Sequence, residues 1–195
     1  IGIWLYMIGK DRKRGVGKIL LGFSILMAGM NTMSHAMSPL ADEPWFMDLF
    51  LSFKNPILGV IAGAVLTAVL QSSSASVGIL QALTSTGAVT YSAAVPIIMG
   101  QNIGTCVTAM LSSVGTNKNA HRAAVVHLMF NVIGVVVLLT VFCIVKAIFA
   151  PVLLNNAASM AGIAVAHSVF NILCTAILLP CGDLLEKLAI RLVPD

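Results

Sequence analysis

No charged side chain occurs between Lys54 and Lys118. Within that neutral stretch, the run Gly63-Ala-Val-Leu-Thr-Ala-Val-Leu-Gln-Ser-Ser-Ser-Ala-Ser-Val-Gly78 places Gln71, Ser72, Ser73, Ser74 and Ser76 inside an apolar segment. Small polar groups packed so far from any charge are costly unless something fills the place they make. A soluble domain carries about 25% charged residues. This chain of 195 residues has 9% charged and 58% hydrophobic residues, with a mean hydropathy of +0.99. It therefore reads as an all-α polytopic membrane protein. The net charge of +4 does not point to nucleic acid, because the basic residues sit in short segments between apolar ones and act as topology signals.

In chain order, Ile1–Gly9 is too short to span a bilayer, which takes about 20 residues. It also lacks the basic-then-apolar order of a signal peptide. It reads as the end of a truncated first helix, so the sequence is expected to be a fragment of a longer protein. Residues 10–18 carry five positive charges and are expected to be a cytoplasmic loop. Ile19–Met37 is the next span. Gly22 and Gly29 there allow close helix approach, and Asn31, Thr32, Ser34 and His35 make its far end polar. Residues 38–55 hold Asp42, Glu43 and Asp48 beside Trp45 and Phe46, as an external interfacial loop would. Residues 116–122, with Lys118 and Arg122, are expected to be cytoplasmic. Spans Ala123–Phe149 and Ala157–Leu179 follow, joined by an outer turn at Asn155-Asn156. The tail from Cys181 spaces Leu184, Leu185, Leu188 and Ile190 or Leu192 as an amphipathic helix does.

Charge parity decides how the middle of the chain is threaded. An odd number of crossings must separate an external loop 38–55 from a cytoplasmic loop 116–122. Ile57–Leu70 as a helix is only about 21 Å long, short of the roughly 30 Å hydrocarbon core. The apolar arm from Ala75 to Leu83 is shorter still. A re-entrant hairpin that enters and leaves on one side, followed by the span from Tyr91 to about Val114, restores the parity. Its tip is then Gln71–Ser74, deep in the membrane.

A hairpin tip presents the carbonyl end of one helix and the amide end of the next to a single point, with opposite dipole ends. Serines there can cap the second helix or donate to an anion, while carbonyls and hydroxyls suit a small hard cation. The competing reading is plain helix packing by small residues, which three consecutive serines after a Gln make the weaker one. Gly100-Gln-Asn-Ile-Gly-Thr105 adds Gln101, Asn102 and Thr105, with Thr108 beyond. Its glycines are expected to break the third segment into an unwound stretch. His127 with Asn131 and His167 with Asn171 form an echo, His-x-x-Phe-Asn, 40 residues apart. Interhelical hydrogen bonding accounts for such pairs better than a proton or ligand contact does. Cys106, Cys143, Cys174 and Cys181 form neither a C-x-x-C pair nor a zinc spacing. The lack of acids disfavours a carrier of cations or metals and suits a small anion with a balancing cation. An intramembrane serine hydrolase would need a base, for which His127 or His167 would serve, but no G-x-S-x-G elbow is present.

The segment Thr67-Ala-Val-Leu-Gln-Ser-Ser-Ser-Ala-Ser76, together with Gly100–Thr105 and with Arg122–His127 and Phe130-Asn131, resembles the bacterial branch of the type II sodium-dependent phosphate cotransporters. That family carries Gln-Ser-Ser-Ser in each of two inverted repeats. The resemblance implies a transporter rather than an enzyme, with Na⁺ as coupling ion, no cofactor, and inorganic phosphate and the lipid bilayer as partners. Gln71, Ser72, Ser73 and Ser74 would contact phosphate; Gln71, Ser74, Asn102 and Thr105 would contact Na⁺. Thr67, Gln101, Thr108, His127 and Asn131 are possible further polar contacts. Only one Gln-Ser-Ser-Ser is present, so residues 1–180 would form the second repeat alone, with the N-terminal repeat missing. Residues 181–195 would be a cytoplasmic tail leading to a PhoU-like domain. Carriage of another small oxyanion and a non-transporting membrane subunit remain the alternatives.

Overall fold

Glycines pair along two neighbouring helices and set how the chain packs. Gly59 and Gly63 lie one turn apart on one helix, Gly100 and Gly104 one turn apart on another. A Cβ on Gly63 would meet the carbonyl of Ile97, and one on Gly100 the carbonyl of Val60. The backbones touch, as small residues four apart allow. The computed structural model describes residues 1–37, 39, 43–45, 53, 55–149 and 152–194. Asp42, Asp48 and Lys54 of the acidic loop lie outside the described residues.

The described helices are α1 (Gly2–Ile8), α2 (Asp11–Met37), α3 (Pro56–Leu70), α4 (Ser73–Leu83), α5 (Tyr91–Ser113), α6 (Lys118–Phe149), α7 (Val152–Asn155), α8 (Met160–Leu178) and α9 (Gly182–Leu192). Local chemistry fixes several starts. Asn55 Oδ1 accepts from Ile57 N at 3.0 Å ahead of Pro56, Asn117 Oδ1 accepts from Ala120 N at 2.9 Å, and Ser159 Oγ accepts from Gly162 N at 3.0 Å. The basic segment 10–18 is not a loop. The chain turns at Gly9 and Lys10, and the good helix formers from Arg12 onward wind into the first turns of α2. Likewise Lys118–Arg122 opens α6 rather than lying in a loop.

Among the described residues, four helical stretches are long and apolar enough to cross a membrane: 11–32, 91–113, 118–149 and 160–192. α5 is the most enclosed. α6 and α8 carry Val136, Val141, Ile144, Ile148, Val165, Val169 and Ile172 on exposed faces. Exposed apolar area on that scale suits lipid and not water.

α3 runs parallel to α5: Gly59 faces Pro96, and Gly104 faces Ala64 and Thr67. α4 then returns. Its Leu80 joins a core with Val89, Ala94, Ile97, Ile98, Ala158 and Ile163, and Gln81 Nε2 donates to Met160 O at 3.0 Å. Backbone bonds Ala158 N to Val89 O (2.7 Å) and Tyr91 N to Asn156 O (3.2 Å) close the same end. Both ends of the α3–α4 hairpin thus sit where α5 and α8 begin. At the opposite end, Ser113 Oγ meets His121 Nδ1 at 3.0 Å and Arg122 Nε donates to Val193 O at 2.9 Å. With Thr67 level with Gly104, the tip falls near Thr108, several residues short of the end of α5. The hairpin enters and leaves at one end, as the charge parity requires. A second core of Met99, Val135, Leu138, Phe170, Cys174 and Leu178 locks α5, α6 and α8 together.

One expectation fails. Gly100–Thr105 is not unwound, because α5 is continuous helix from Tyr91 to Ser113 through Pro96 and both glycines. The glycines serve the close crossing with α3, not a break.

Candidate functional site

The turn between α3 and α4 is two residues long. Gln71 sits in the left-handed region (φ 52°, ψ 25°), and its N–H bonds Thr67 O at 2.8 Å. A non-glycine residue there carries strain, and such strain gathers at ligand sites. Ser72 is extended (φ −145°, ψ 109°) and its Oγ accepts the Ala75 N–H at 3.2 Å. Ser73 and Ser74 form the first turn of α4, where amides have no carbonyl a turn upstream within the helix. Behind the tip, Thr67 Oγ1 donates to Ser76 Oγ at 2.7 Å, and both residues are fully buried. The two arms are thereby braced one turn above the exposed Gln71.

Ser73 and Ser74 open onto a groove of about 590 Å³. Gly78 and Gln81 extend its α4 wall, Leu26, Gly29 and Met30 of α2 form a second wall, and His167 of α8 a third. The groove is mainly apolar with a few convergent polar groups, the usual make-up of a small-molecule site.

The other sequence candidates divide. Asn102 Nδ2 donates to Ile98 O at 3.1 Å, Thr105 Oγ1 to Asn102 O at 2.6 Å, and Thr108 Oγ1 to Thr105 O at 2.8 Å. These side chains turn back onto their own helix. Gln101 differs: it is 1% exposed, and neither Nε2 nor Oε1 has a hydrogen-bond partner. His127 lies in a separate hollow near the α5–α6 turn with Ala109, Ser112, Ala120 and Ala123. Its carbonyl accepts from Cys106 Sγ at 3.6 Å and from Asn131 Nδ2 at 3.0 Å. The structure therefore separates the two halves of the His-x-x-Phe-Asn echo, since His167 reaches the serine groove and His127 does not. Sequence spacing alone makes the two equivalent. The α2 wall is not legible in the sequence, and Gly22 and Gly29 are not points of close helix approach, since a Cβ on either would meet nothing within 4 Å. Among the described residues, no group of three or more His, Cys, Asp or Glu could hold a metal ion. The oxygen donors at the tip are all neutral.

The profile described as Na+/Pi-cotransporter matches residues 25–167. YqeW of Bacillus subtilis (strain 168) is 27% identical over 194 residues, covering 99% of this chain and 62% of YqeW. Human "Sodium-dependent phosphate transport protein 2B" is 36% identical over 139 residues, covering 66% of this chain and 20% of that protein. The Escherichia coli (strain K12) protein named "Putative inorganic phosphate export protein YjbB" is 22% identical over 197 residues, covering all of this chain and 36% of YjbB. The chain thus spans less than two thirds of the length of these relatives. No solved structure is significantly similar. The matched family is one of transporters, not of enzymes. With a match that takes in the hairpin, α5, α6 and α8 as far as His167, this chain belongs to the Na+/Pi-cotransporter family.

Proposed function

We propose that this chain forms one repeat of a Na⁺-coupled transporter of inorganic phosphate, with the anion held at the tip of the α3–α4 hairpin. The observation that carries the reading is the braced two-residue tip. The carbonyl end of α3 and the amide end of α4 converge there, fixed by Thr67–Ser76, with Ser73 and Ser74 open to a groove. Phosphate takes the amides and hydroxyls of Ser72, Ser73 and Ser74 and the side-chain NH₂ of Gln71. Na⁺ takes oxygens from Gln71, Ser74 and the end of α3, with Asn102 and Thr105 as further oxygen ligands after they release their own helix. The unpartnered amide of Gln101 is a polar group that such a rearrangement would satisfy.

Only one Gln-Ser-Ser-Ser segment occurs in these residues. On this reading a second repeat supplies the other half of the site. Residues 1–180 then make up the transporter repeat, and residues 181–195 lead on the cytoplasmic side toward a further domain. Segments 10–18 and 116–122 face the cytoplasm and 38–55 the outside. The direction of net flux follows the ion and phosphate gradients, so a name for export in one relative and for sodium-dependent transport in another is compatible with one site.

Thermal unfolding of the intact detergent-solubilised protein tests this. Phosphate raises the melting temperature only with Na⁺ present, and Ser73→Ala removes the effect. Equal stabilisation by phosphate in K⁺, or by sulfate as strongly as phosphate, would contradict the Na⁺ or phosphate assignment respectively.

A further inference from the structure

The Gln81–Met160 hydrogen bond fixes the relative register of α4 and α8. α4 runs toward that bond and α8 away from it. Ser74 lies seven residues before Gln81 and His167 seven residues after Met160. At 1.5 Å per residue each is about 10 Å deeper than the bond, so Ser74 and His167 stand at one depth on facing helices. Both line the same groove.

The imidazole is also oriented. Asn171 Nδ2 donates to His167 O at 2.8 Å and lies 3.5 Å from His167 Nε2. Asn171 Nδ2 is committed to the His167 carbonyl, so its 3.5 Å contact with Nε2 orients the ring and leaves either ring nitrogen able to carry a proton. Gln81, the groove's other strong donor, is committed to Met160. That leaves Ser73, Ser74 and His167 to meet a ligand.

We infer that His167 is a further anion-contacting residue of this groove, facing the serine end of α4, and that its protonation tightens the hold on a small oxyanion. This rests on the reading of the hairpin tip as the anion site. Among the described residues, His167 is the titratable side chain that lines the groove. α4 has none, and α2 presents Leu26, Gly29 and Met30 there. On α5, Tyr91 bonds Ser159 and Cys106 bonds carbonyls of Asn102 and His127. On α6, His127, Cys143 and Lys146 lie outside the groove, as does Cys174 on α8. A charge gained at His167 therefore has no acid in the groove to neutralise it, and is available to the anion.

The test is phosphate uptake by the intact protein in proteoliposomes, followed from about pH 4.5 to 7.5, a range that extends well below the ordinary imidazole value. His167→Gln is expected to raise KM for phosphate about tenfold at the acid end. The effect shrinks toward the alkaline end, with kcat nearly unchanged. Comparing variant and wild type at equal pH cancels the titration of phosphate itself. A His167→Gln profile parallel to wild type, while Ser73→Ala abolishes uptake, overturns the role of His167 and leaves the tip site standing. Wild-type uptake by Ser73→Ala overturns the tip site and this inference with it. Should His167→Gln fail to accumulate, diethyl pyrocarbonate modification of His167 in the wild-type protein, followed by mass spectrometry, decides. Protection by phosphate supports the contact, and an unchanged rate refutes it.

Discussion

Thr67 and Ser76 share a 2.7 Å hydrogen bond between two fully buried hydroxyls, one from each arm of the hairpin. The bond fixes the spacing of two helix ends that carry opposite partial charges. Removing one hydroxyl leaves the other buried without its partner, which costs about 1–3 kcal/mol. Thr67→Val and Ser76→Ala are each expected to lower the melting temperature in detergent. The double variant should lose less than the sum of the two. Strict additivity would mean that the bond does not join the arms in solution.

The glycine crossing makes a sharper contrast. Gly63→Ala would drive a Cβ into the Ile97 carbonyl, which is backbone and cannot swing aside. That variant should fold poorly or not accumulate, by an overpacking cost of about 1–3 kcal/mol or more. Gly22→Ala meets nothing within 4 Å and should accumulate as wild type does. Comparable yields of the two variants on size-exclusion chromatography would count against the parallel packing of α3 on α5.

Gln101 separates stability from function. Its amide is buried and unpartnered, which costs about 1–3 kcal/mol in the state seen here. Gln101→Met keeps the length and removes the polar atoms, so it should raise the melting temperature while weakening Na⁺ dependence of uptake. A destabilised variant would show that the amide has a partner in this state after all.

At the far end, Arg122 Nε holds Val193 O at 2.9 Å, and α9 buries Leu185 and Ala189. Arg122→Ala should loosen α9, seen as faster amide exchange over residues 182–193. Unchanged exchange there would mean that the apolar face alone docks this helix.

The sequence made the hairpin legible because charge parity and helix length are global constraints that one residue cannot upset. The tip was legible for the same reason: Gln71 and three serines have nowhere else to go in a neutral stretch. What could not be read was register. Gly100–Thr105 looked like a break because glycine serves both an unwound turn and a close crossing, and only the facing Val60 and Ala64 tell the two apart. His127 and His167 have the same local motif, and their difference lies in which helix each one faces. That depends on the Gln81–Met160 bond, a contact 79 residues apart in the chain.

The central claim is that the hairpin tip binds phosphate together with Na⁺. Radiolabelled phosphate uptake by the intact protein in proteoliposomes, with an imposed Na⁺ gradient, tests it most directly. The account predicts Na⁺-dependent uptake that Gln71→Ala and Ser73→Ala each reduce by at least about tenfold, at equal reconstituted amounts. Wild-type uptake by both variants, or uptake indifferent to Na⁺, would contradict it.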